Sequence, residues 1–243
     1  MNPLERAAAS SPWATRHVGE KAALLLGLVL VCVILTPGWV SILIAATLVW
    51  VIWVAKVPLK ILGGLMAPPL VFIFVSVIPM IVAISPQGLI WVPDGPHTAA
   101  MLIIRSALAT CATIVFSLTT PMPEIFQWLR QIKVPAYLVH VIALTYTMTA
   151  TLLMTAKTMW DAQAMRLGHS NRRRWMRSLG AQAASLFVHA FERGRRLEAG
   201  LELRADPSAM DVLVETRPLN RVFLALSFIW LALLCVLGVI GAR

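Results

Sequence analysis

The sequence predicts an all-α integral membrane protein, with about five transmembrane helices and one cytoplasmic coupling domain of long crossed helices. Three observations carry that expectation. Apolar residues make up 59% of the 243 residues and charged residues only 13%, against roughly a quarter charged in soluble domains. The apolar residues gather into runs at 22–36, 39–55, 61–84, 98–119, 136–156 and 219–240, close to the ~20 residues that cross a bilayer. Ten of the 21 Lys and Arg residues fall between 161 and 218, the pattern of a basic insertion on the cytoplasmic side. The net charge of +10 comes without an aromatic-basic RNA motif or a zinc pattern, so nucleic acid is not an expected partner.

Taken in order, the N-terminal segment to Lys21 is polar, and no small-residue cleavage site follows the first apolar run, so no removable signal is expected. Thr36-Pro37-Gly38 is a tight turn between the first two spans. Lys56 and Lys60 flank Pro58 in the next connection, and 85–97 is a loop with Pro86, Pro93, Asp94, Gly95 and Pro96. Arg6, Arg16, Lys21, Lys56 and Lys60 place the N-terminus and the second connection inside, because the alternate loops hold no positive charge. Trp39 and Trp91 then fall near the outer interface, Trp50 and Trp53 near the inner one. Arg105 lies about two turns into the fourth span, where an arginine is costly unless paired or snorkelling. It reads equally as a packing anchor or contact with another membrane subunit, or as a side chain reaching the outer interface.

The fifth run decides the topology. If 136–156 crossed the membrane, Lys157 and the ten following cations would all lie outside, against the charge rule. It also carries Thr145, Thr147, Thr149, Thr151 and Thr155 with Tyr137, His140 and Tyr146. We therefore expect a helix at or under the inner surface, with a six-span arrangement as the alternative. The expected division is 1–119, an N-terminal cytoplasmic segment and four spans; 120–218, the cytoplasmic domain; and 219–243, a last span ending outside.

Within 120–218, Thr120-Pro121 opens a short helix. Met122, Ile125, Phe126, Leu129 and Ile132 give it one apolar face, suited to the membrane surface. Val134-Pro135 starts a long helix that Gly168 stops. Ser170-Asn171 caps a second one, stopped at Asp206-Pro207. Each is on the order of 50 Å long at ~1.5 Å per residue, too long for a compact domain unless the two cross. The small-residue pairs Gly180/Ala184 and Ala190/Gly194 are expected to permit close helix approach, though ordinary packing explains them as well. Arg166 and Arg204 sit at corresponding places, one near the end of each long helix. A cation there complements the helix dipole, but two helices ending alike suggest a shared receptor.

Catalytic signals are sparse. Cys32, Cys111 and Cys235 each sit inside an apolar run, with no disulfide or metal spacing. His17, His97, His140, His169 and His189 are scattered, so no metal site is expected in this chain. Asp94, Glu124, Asp161 and Glu192 show no paired spacing with histidine. A phosphate-binding loop ending in Lys-Ser/Thr is also missing from the sequence.

The stretches Ala164-Met165-Arg166-Leu167-Gly168, Arg177-Ser178-Leu179-Gly180 and Phe191-Glu192-Arg193-Gly194-Arg195-Arg196-Leu197-Glu198-Ala199-Gly200-Leu201 resemble the transmembrane T component of energy-coupling factor (ECF) transporters, most closely the CbiQ cobalt-uptake type. Leu118-Thr119-Thr120-Pro121 and Val134-Pro135 match that family's lead into its cytoplasmic helices. The resemblance is strong over 119–211 and diffuse over the earlier spans. It implies a non-catalytic subunit of an ATP-driven importer in the bacterial inner membrane, with cobalt ions as the expected cargo and nickel or a vitamin as alternatives. The implied partners are two ATPase subunits, a substrate-binding membrane subunit and a small accessory membrane subunit. No cofactor is implied for this chain; ATP and the transported ion would be bound by the partners. Carried over, Arg166 with Gly168 and Arg204 with Ala205 would dock the ATPases. The family's tip reads Ala-Arg-Gly, from which the second tip departs by lacking its glycine. A membrane enzyme and a membrane scaffold for another cytoplasmic protein are the competing readings.

Overall fold

The computed structural model describes residues 7–9, 11–35, 38–85, 88–91, 94–203 and 219–241. The chain divides into two compact units, Met1–Trp128 with Glu215–Arg243, and Leu129–Val214.

The first unit is a helical bundle, opened by a 3-10 turn at Pro12–Thr15. Its helices are α1 (Val18–Ile34), α2 (Trp39–Val54), α3 (Leu59–Ile81) and α4 (Gly95–Thr119), followed by the start of α5 (Met122–Gln131) and, much later, α8 (Arg221–Gly241). Packing follows periodicity: Leu24, Leu25, Leu28, Val31 and Cys32 bury one stripe of α1, and Val40, Ile44, Leu48 and Val51 one stripe of α2. Ala112, Val115 and Leu118 of α4 and Leu234 of α8 are fully enclosed. Helix α4 touches α1, α2 and α3, while α8 lies against α1 and α2. Outward, Trp53, Phe72 and Ile78 are well exposed, an apolar surface that suits a membrane. Pro68, Pro69 and Pro79 lie inside α3, as membrane helices tolerate.

The structure differs from expectation between the third and fourth spans. Helix α3 stops at Ile81, and β1 (Val82–Ser85) pairs antiparallel with β2 (Gly88–Trp91), Val82 opposite Trp91 and Ser85 opposite Gly88. The apolar run ending at Ile84 is thus part helix and part strand. Asp94 then caps α4, with Pro96 in its first turn, so the helix takes in the end of the expected loop.

Helix α1 begins at Val18, earlier than the apolar run, because its charged first turn is paired inside the bundle. His17 Nδ1 accepts the Gly19 N–H at 3.0 Å as the N-cap. Lys21 is fully buried; its Nζ donates to the Thr119 carbonyl at 3.0 Å and pairs with Glu124 Oε2 at 3.3 Å. Glu20, also buried, accepts the Asn220 N–H through Oε1 at 2.6 Å. Ser11 Oγ donates to the Ala55 carbonyl at 2.9 Å. The Arg16 guanidinium lies 4.5 Å from the Phe223 ring and 5.3 Å from Trp13. The start of α1, the end of α2, the end of α4 and the start of α8 therefore meet at one end of the bundle.

Among the described residues, four helices could cross a membrane by length and composition: Leu59–Ile81, Gly95–Thr119, Ala136–Met165 and Arg221–Ile240, with Trp39–Val54 a shorter apolar helix. Ala136–Met165 is the least apolar of the four, and it contains the run expected, from the charges that follow it, to lie at the inner surface.

The second unit holds the end of α5 and two long helices, α6 (Ala136–Met165) and α7 (Arg172–Glu202). They pack antiparallel. Gln182 Nε2 donates to the Ala156 carbonyl at 2.7 Å, and Ser178 Oγ to the Gly168 carbonyl at 3.2 Å. Farther from the turn they enclose an open cleft of about 750 Å³ between Leu144, Met148 and Leu152 on one side and Ala190, Leu197 and Leu201 on the other.

Candidate functional site

The turn joining α6 to α7 is built by the backbone. Gly168 N–H donates to the Gln163 carbonyl at 2.9 Å and Leu167 N–H to the Ala164 carbonyl at 3.0 Å, with Leu167 at φ 57°. That is a Schellman motif with Arg166 at the C-cap. The left-handed position therefore belongs to Leu167, one residue before the expected glycine stop. Gly168 is there for space. A Cβ on it would lie 2.7 Å from Ser178 Oγ and 3.0 Å from the Gln163 carbonyl oxygen. The Trp160 and His169 rings, 4.1 Å apart, close the underside of the turn.

This scaffold presents Arg166 outward between two strongly exposed apolar side chains, Met165 at 88% and Leu167 at 67%. Arg172, Arg173 and Arg174 follow in the first turn of α7, all exposed, with no acidic residue there. Cations at a helix N-terminus oppose its dipole, at about 0.3–1 kcal/mol each, so helix stability does not account for them. The turn can offer several guanidinium donors and two apolar contacts to an acidic, partly apolar surface.

The second tip, Arg204 and Ala205, lies outside the described residues; α7 closes at Leu203, which is 87% exposed. The two small-residue pairs differ in their surroundings. A Cβ on Gly180 or Gly194 would meet nothing within 4 Å, Ala184 is exposed and Ala190 half-buried at the cleft. Helix α7 turns Ser178, Gln182, Ser185 and Leu186 towards its own unit, and Ala190 and Gly194 continue that side along the cleft, where no neighbour among the described residues comes within 4 Å of the place a Gly194 Cβ would take. The close glycine approach is in the bundle. A Cβ on Gly27 would lie 2.3 Å from a Leu231 methyl and one on Gly238 2.6 Å from a Leu35 methyl, so each leucine packs into the space its glycine leaves between α1 and α8.

Arg105 donates to the carbonyl of Val33 in the last turn of α1, which gives the charge a helix C-terminus as partner. Among the described residues, no three of His, Cys, Asp and Glu converge as a metal-holding group. Sequence reasoning missed the roles of Glu20 and Lys21, treating Lys21 only as an orienting charge. The signal available was their position, two charges directly before an apolar run.

Comparison with known proteins now adds identity. The family model described as cobalt transport protein, CbiQ, matches residues 10–205, taking in most of the bundle as well as the long helices. The cobalt transport protein CbiQ of Rhodobacter capsulatus is 35% identical over 216 residues, 88% of each chain. An uncharacterized protein of Methanocaldococcus jannaschii is 30% identical over 240 residues, 91% of this chain and 89% of its own. A protein of Methanocorpusculum labreanum, named as a fused cobalt transport protein CbiMQ, is 23% identical over 136 residues, 56% of this chain and 23% of its own. With its multi-pass, predominantly helical architecture, the chain belongs to the CbiQ family of cobalt transport proteins, the ECF T-component type that its sequence resembles.

Proposed function

We propose that this chain is the energy-coupling subunit of an ATP-driven cobalt importer of the ECF type. It carries motion from ATPase subunits to a substrate-binding membrane subunit and performs no catalysis itself. The carrying observation is the α6–α7 turn, where Arg166 stands exposed between Met165 and Leu167 on a rigid Schellman scaffold. Arg204 and Ala205 are assigned the corresponding role at the end of α7. The basic end of the bundle and the second unit face the cytoplasm, where the ATPases are, and the C-terminus faces outside. The Methanocorpusculum relative, whose name joins an M and a Q part in one chain, supports an M-type membrane protein as the substrate-binding partner. ATP and cobalt are held by the partners.

Charge reversal tests the assignment. Arg166→Glu is expected to lower ATPase recovery with the tagged chain from detergent-solubilised membranes by about tenfold or more, because one interface cation becomes a repelled anion. Arg204→Glu should do the same at the second site, and the double variant should abolish ATP-dependent cobalt uptake. Full recovery and uptake in the double variant would leave the scaffold reading in its place.

A further inference from the structure

The chain leaves the first unit just after α5 begins and returns just before α8, and two consecutive residues of α1 hold both points. Lys21 Nζ reaches the Thr119 carbonyl at the end of α4 and the Glu124 carboxylate in the first turn of α5. Glu20 Oε1 accepts the Asn220 N–H at the entrance to α8. The second unit begins at Leu129 and ends at Val214, so Glu124 lies shortly before it and Asn220 shortly after it, both held by α1. Asn220 is in turn tied to α8, its Oδ1 accepting the Val222 and Phe223 N–H groups at 3.1 and 3.3 Å.

A fully buried ammonium is an expensive way to stabilise a bundle. Packed apolar residues of similar volume are often as stable or more so, whereas an ion pair fixes distance and direction. We infer that Glu20 and Lys21 are positioning residues, a two-point clamp that fixes both ends of the coupling unit's connection to the bundle, so that movement of that unit is passed to the spans rather than lost in the linkers. This inference rests on the coupling reading above.

The test uses the complete transporter reconstituted in liposomes, comparing cobalt(II) uptake with ATP hydrolysed. Lys21→Met should leave ATPase subunits bound and hydrolysing while uptake per ATP falls roughly tenfold, the scale of an ordinary coupling free energy. Lys21→Arg should retain most coupling, and the exchanged pair Lys21→Glu/Glu124→Lys should recover part of it. Glu20→Ala and Glu20→Gln form an independent second arm. Glutamine keeps the acceptor for Asn220 and should couple as the unaltered chain does; alanine should not.

Unaltered uptake per ATP in both Lys21→Met and Glu20→Ala would overturn the clamp. So would loss of both variants from the membrane with no conservative rescue, which makes the pairs structural props alone. Failure of the coupling reading looks different: the unaltered complex itself would show no ATP-dependent uptake.

Discussion

Among the described residues, three helices end on a left-handed residue that is not glycine: Lys56 after α2 at φ 48°, Lys133 after α5 at 64° and Leu167 after α6 at 57°. Each sits in the same pair of backbone bonds, Val57 to Ile52 and Lys56 to Trp53 in the first case, Val134 to Leu129 and Lys133 to Arg130 in the second. For a residue with a Cβ this backbone costs roughly 1–2 kcal/mol. Lys133→Gly should therefore stabilise the detergent-solubilised protein by up to about 1 kcal/mol after the unfolded-state entropy of glycine is deducted, read as a higher thermal midpoint. Gly168→Ala should do the opposite. Its Cβ has a backbone oxygen 3.0 Å away, which cannot move as a side chain can. We expect a loss of about 1–3 kcal/mol, seen in thermal unfolding, and weaker ATPase capture through the distorted turn. Gly168 was legible as a helix stop, but its need for space was not, because Ser178 approaches it from the next helix.

At the scale of elements, α6 shows why composition and environment can disagree. Its threonines read as polar in the sequence, yet Thr147, Thr149 and Thr155 donate to carbonyls four residues back and Thr151 to Met148, three back. These bonds satisfy the hydroxyls within the helix, so they do not resist an apolar environment. The cations after α6 carry the argument against its spanning. Helices α1 and α8 depend on a different feature, the two glycines at their contact. Gly238→Leu should press on Leu35 and separate them, at a cost of about 1–3 kcal/mol, read as a lower yield of folded protein and a lower thermal midpoint. Glycines within apolar runs were visible in the sequence. Which of them faced a neighbour was not, since each helix offers several faces.

For the whole molecule, the contacts at one end of the bundle join Ser11, Lys21, Ala55, Thr119 and Asn220, and the basic residues Arg16, Lys56 and Lys60 belong to the same end. The sidedness proposed from charge makes a direct prediction. A cysteine placed at Ser170 should react with an impermeant maleimide only from the cytoplasmic side, and one at His97 only from outside, in a background with Cys32, Cys111 and Cys235 replaced by serine. Reaction of the Ser170 position from outside would instead favour the six-span arrangement. By itself the sequence determined the helical membrane class, most helix limits and the basic α6–α7 turn, because hydropathy, periodicity and capping are set by residues a few positions apart. Only the tertiary structure decided that Arg105 serves the end of α1, that Gly180 stands open while Gly194 lines the cleft, and that Glu20 and Lys21 reach Asn220 and Glu124. Those pairings join residues 200 and 103 positions apart, and their partners are selected by burial, which forces a charge removed from water to find polar groups within reach.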